Sequence, residues 1–97
     1  MSPMRFRKLS PAPDVLIQTV VGEAVLLDLR SQKYFGLNQV GTRAWQLLAE
    51  TGDAGVVRSR LAQEFQVEGA QLERDLDDLF ARLLKAGLVE EQPGAKA

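Results

Sequence analysis

Two spacings of apolar residues divide this chain. Between Asp14 and Leu37 large apolar residues fall in short runs broken by polar pairs, and between Val40 and Leu84 they recur every three or four positions. The first spacing is that of strands and the second that of helices. Val15, Leu16, Ile17, Thr19, Val20 and Val21 are β-prone. Gly22 and Glu23 suit a tight turn, residues 24–29 read as a second strand, residues 30–33 as a hairpin loop, and residues 34–37 as a short third strand. Asn38 is a good N-cap for a first helix carrying Val40, Ala44, Trp45, Leu47 and Leu48, which Thr51 and Gly52 end. Asp53 caps a second helix with Val56, Val57, Leu61 and Phe65. A third helix is predicted over residues 70–86, closed by Gly87, and Leu88 and Val89 suit a short extended piece. The expected fold class is α+β: a three-stranded antiparallel β-meander followed by three helices, a winged-helix-like arrangement. Residues 1–13, with Pro3, Pro11 and Pro13, read as a flexible arm, residues 14–90 as the domain, and residues 91–97 as a flexible tail.

Composition narrows the class. The 97 residues are 45% hydrophobic and 26% charged, enough for one small globular domain rather than a disordered chain. There is no long apolar run and no signal-like h-region, so neither a membrane span nor secretion is expected. The absence of cysteine fits a reducing compartment, and we expect a cytoplasmic protein. The net charge of −1 argues against charge-driven nucleic-acid binding.

Chemistry is sparse. With no His and no Cys, the commonest general base, the commonest nucleophile and the soft metal ligands are all missing. Asp75, Asp77 and Asp78 cluster on one predicted helix, without the loop and glycine that hard-cation sites use. They read as a solvated face. No phosphate loop or nucleophile elbow is present. We therefore expect no enzyme activity, no cofactor and no metal.

What the pattern does offer is an open edge. In a meander the third strand lies at a sheet edge, with unpaired N–H and C=O groups that invite another strand. Residues 34–37 carry no proline, and Gly36 leaves the backbone open to close approach. Tyr34 and Phe35 have burial in the sheet core as their ordinary alternative, and Trp45 is expected in the core. Main-chain hydrogen bonds contribute roughly 0.5–1.5 kcal/mol each, against about 1–2 kcal/mol per residue to order a flexible peptide. A bound peptide must therefore also bury side chains. On the third helix Leu72, Leu76, Leu79, Phe80, Leu83 and Leu84 span an arc of about 140°, wide enough for both core and ligand. Asp75, Asp78 and Arg82 lie along one border of that arc.

Residues 25–48, running from VLLDLRS through YFGLN into VGTRAWQLL, and residues 72–89, with DLDDLFARLLKAGLV, resemble the PqqD family of leader-peptide-binding chaperones, the RiPP recognition elements. The resemblance covers about residues 14–90. It implies a precursor's leader peptide added antiparallel to the third strand and packed on the third helix. The binding residues would then be Tyr34, Phe35, Gly36, Leu37, Asp75, Asp78, Leu79 and Arg82. The wording around Asp28 and Tyr34–Leu37 is more similar to the stand-alone recognition proteins of lasso-peptide clusters, which implies a leader peptidase and an ATP-dependent cyclase as further partners. A chaperone for a radical SAM peptide-modifying enzyme is the alternative within the family. Outside it stand a winged-helix DNA-binding protein, disfavoured by the acidic third helix, and a dimer paired through the same edge, against an expected monomer.

Overall fold

The structure, a computed structural model, describes residues 8–91. Its elements are β1 (Leu9–Pro11), β2 (Val15–Val20), β3 (Glu23–Asp28), β4 (Lys33–Leu37), α1 (Gln39–Thr51), α2 (Ala54–Glu64), α3 (Gly69–Lys85) and β5 (Val89–Glu91). The meander followed by three helices is thus present, with strand order β2-β3-β4 and antiparallel pairing throughout.

β3 alternates as a half-buried strand requires, whereas the outer strand β2 is exposed from Leu16 to Val20. On β3, Ala24, Leu26 and Asp28 are buried, while Val25 is exposed. α1 packs across β3 and β4. Trp45, Leu47 and Leu48 from α1 join Leu26, Leu61, Phe80 and Leu83 in one core, as expected for Trp45.

The β2–β3 turn differs from the expected Gly22-Glu23. Val20 pairs with Glu23, so the central residues are Val21 at φ 46° and Gly22 at φ 81°. Two positive φ values make this a type I′ turn, the turn that matches strand twist but suits asparagine, not a β-branched residue, at its first position. Val21 is 97% exposed and has little packing to lose. Val21→Asn is expected to raise stability by about 1 kcal/mol, read as a higher denaturation midpoint with an unchanged slope.

The helix caps follow the local sequence. The Asn38 side chain accepts from Gly41 N at 2.8 Å, and Gly52 ends α1 in the left-handed region at φ 67°. Asp53 Oδ1 accepts from Gly55 N at 2.9 Å and from Val56 N at 3.3 Å at the start of α2. Lys8 pairs with the same carboxylate. That side-chain bond, joined by the two amides, holds the Asp53 carboxyl below its ordinary pKa.

A correction concerns the arm. Residues 1–7 and the tail residues 92–97 lie outside the described residues, but from Leu9 onward the expected arm is part of the packed domain. β1 pairs with β5 as a separate antiparallel ribbon, Leu9 opposite Glu91 and Pro11 opposite Val89. Leu9 is fully buried and its N–H donates to Gly52 O at 3.1 Å. Ala12, also buried, donates to Leu88 O at 2.9 Å. Pro11 is tolerated because the ribbon is all edge.

Candidate functional site

β4 pairs with β3 on one side and, among the described residues, with nothing on the other. The β1–β5 ribbon therefore does not seal it. Beside this edge lies a groove of about 510 Å³, walled by Phe35, Gly36 and Leu37 of β4 on one side and by α3 on the other. The α3 wall presents Gln71, Leu72, Asp75, Leu76, Asp78, Leu79 and Arg82. These positions follow i, i+4, i+7, i+11 and i, i+4, i+7, two adjacent stripes of one helix face. Asn38, Val40, Gly41 and Val67 also line the groove. From Gln71 to Arg82 the helix rises about 16 Å, close to the roughly 17 Å length of a five-residue strand.

The groove gathers all the sequence-predicted site residues except Tyr34. Tyr34 is 74% exposed and stands on the opposite face of the sheet, in register with Leu27 and, one strand further, Leu16. Phe35 is the half-buried aromatic, packed against the core. Leu37 is buried in that core, so it offers the edge its backbone rather than its side chain. Val40, Val67, Gln71, Leu72 and Leu76 were not expected in the site. Val67 is 44% exposed in the short α2–α3 connection, and an isolated apolar residue in a polar loop was its only sequence signal.

The α3 arc is divided as its width suggested. Leu72, Leu76, Phe80 and Leu83 are buried, while Leu79 and Leu84 are partly exposed. Arg82 bridges the groove: its guanidinium lies 5.2 Å from the centre of the Phe35 ring, within cation–π range, and 3.6 Å from Asp78 on its own helix. Gln71 Nε2 donates to Asp75 Oδ1 at 2.9 Å. One wall is thus apolar at its floor and charged along its rim.

The β3–β4 loop holds the sheet to the far end of α3. Arg30 Nη2 donates to Gly87 O at 3.1 Å, and Arg30 N donates to Asp28 Oδ1 at 3.0 Å. That amide chiefly holds the buried Asp28 carboxyl below its ordinary pKa, against the opposing effect of burial. Among the described residues no group of His, Cys, Asp or Glu is placed to hold a metal ion, and no helix is long and apolar enough to cross a membrane.

An unsealed strand edge beside a helix-walled apolar groove defines a small α+β recognition domain. The chain belongs to the PqqD family: the family's profile, described as coenzyme PQQ synthesis protein D, matches residues 23–89. Two solved structures are similar over nearly the whole fold. One is TbiB1 in complex with the TbiA(beta) leader peptide, 32% identical, TM-score 0.78, covering 88% of this chain and 99% of that one. The other is a lasso peptide synthetase B1 complexed with the leader peptide, 28% identical, TM-score 0.74, covering 86% of this chain and 98% of that one. No curated protein matches the chain.

Proposed function

We propose that this chain is a non-catalytic, cytoplasmic peptide chaperone that takes up the leader of a ribosomally made precursor as an extra antiparallel strand on β4. It delivers the precursor to a leader peptidase and a cyclase of a lasso-peptide pathway, acting by raising local substrate concentration rather than by chemistry. The observation that carries this reading is the unpaired edge of Phe35–Leu37 lying against the groove that α3 walls with Leu79, Asp75, Asp78 and Arg82. The leader peptides held by both similar structures support it. The family description by itself would suit a chaperone of a quinone-cofactor pathway equally. The similarity to a lasso peptide synthetase B1 over 98% of that protein favours the lasso reading.

In this reading the main-chain bonds set direction and register. Affinity comes from alternate leader side chains entering the groove over Leu72, Leu76 and Leu79. The rim charges of Asp75, Asp78 and Arg82 tune association and selectivity. The test is a titration of the isotope-labelled protein with the leader of a short precursor encoded beside its gene. Amides of Lys33–Leu37 should shift and gain protection from exchange, together with those of α3 between residues 71 and 82, while α2 stays unmoved. Shifts confined to other elements, or a tight dimer already occupying the β4 edge in sedimentation, would overturn it.

A further inference from the structure

Gly36 is unexplained by the free protein. Glycine in a strand costs stability through its extra freedom and its missing side chain. Its backbone has no positive φ that would demand glycine. A Cβ built there meets no atom within 4 Å, so packing does not demand it either. The gap left by the absent side chain therefore serves something that approaches from outside.

That gap opens on the face of the sheet opposite the groove. Phe35 and Leu37 point toward the core, so the flanking positions Tyr34 and Gly36 face outward. Gly36 stands opposite Val25, which stands opposite Gln18. Over this row lies a second hollow of about 390 Å³, bordered by Gln18, Val20, Glu23 and Val25. Val20 and Val25 are 63% and 40% exposed. The hollow shares Gly36, Leu37 and Asn38 with the groove, so the two meet along the free edge of β4. Asn38, whose side chain is tied to Gly41 N, is held back at their common end.

We infer that the edge is read from both sides: the bound peptide places a large apolar side chain outward, over Gly36 and toward Val25, between two side chains that enter the groove. This rests on the strand-addition reading and adds a specificity position to it. A single-sided groove would select large residues at alternate positions with the intervening one free. A two-sided edge selects three large residues in succession.

The test is selection of random eight-residue peptides displayed on phage against the full chain and against Gly36→Val. Valine favours strands and its Cβ meets no atom within 4 Å, so the variant should melt at or above the parent's midpoint, checked by circular dichroism. The parent should enrich large-large-large triplets, and Gly36→Val large-small-large. In peptides synthesised from the parent's consensus, alanine at the middle position should weaken binding to the parent about tenfold and strengthen binding to Gly36→Val. An unrestricted middle position in both selections would overturn the outward subsite while leaving strand addition standing. No enrichment by either protein would overturn strand addition itself.

Discussion

Leu79→Asp is expected to lower leader affinity about a hundredfold in a calorimetric titration, with the helix content unchanged. Leu79 is the half-exposed apolar residue of the α3 wall, one turn from both Asp75 and Arg82. An aspartate there sets a third carboxylate beside Asp75 and Asp78, where an apolar ligand side chain would lie. Loss of apolar contact and desolvation of the new charge act in the same direction. The exposed rim offers the contrast: Asp75→Asn or Asp78→Asn removes a solvated charge and should alter affinity by less than about threefold. A Leu79→Asp protein that bound leader as tightly as the parent would place the ligand's side chains outside the groove.

The second large effect lies far from the groove. Leu9→Ala is expected to reduce unfolding free energy by about 3 kcal/mol, measured by urea denaturation. Leu9 is fully buried against the core, in a three-residue strand bonded to β5 and to the end of α1. Truncation leaves a cavity that a ribbon pinned at both ends cannot collapse to fill. A loss below about 1 kcal/mol, typical of surface changes, would mean that β1 is not part of the cooperative unit.

These two residues differ in how legible they were. Leu79 was readable because helix periodicity places it beside Leu72 and Leu76, and the surplus width of that apolar face implied an outside occupant. Leu9 was not. It stands near three prolines, and its partner strand lies at the other end of the chain, so no local pattern registers the pairing. The caps at Asn38 and Asp53 were legible because the side chain and the amides it accepts are within three residues. The β2–β3 turn was displaced by one position because hairpin register is set by the whole ladder of cross-strand pairs. That ladder placed Val21 in a conformation its own propensity disfavours. Of the two neighbouring aromatics, alternation alone said that they face opposite ways but not which one faces in. The packing of Phe35 on the core and its contact with Arg82 sent Tyr34 outward.

The type and order of the elements from β2 to α3, the caps and the broad apolar face of α3 are encoded locally, in spacings of two, three and four residues, and so could be read from the chain alone. Three features could not: the arm's closure onto β5, the choice of Phe35 over Tyr34, and the meeting of two hollows at Gly36. Each depends on which distant surfaces come together, and that is settled only when the core is packed and the strands have taken their register.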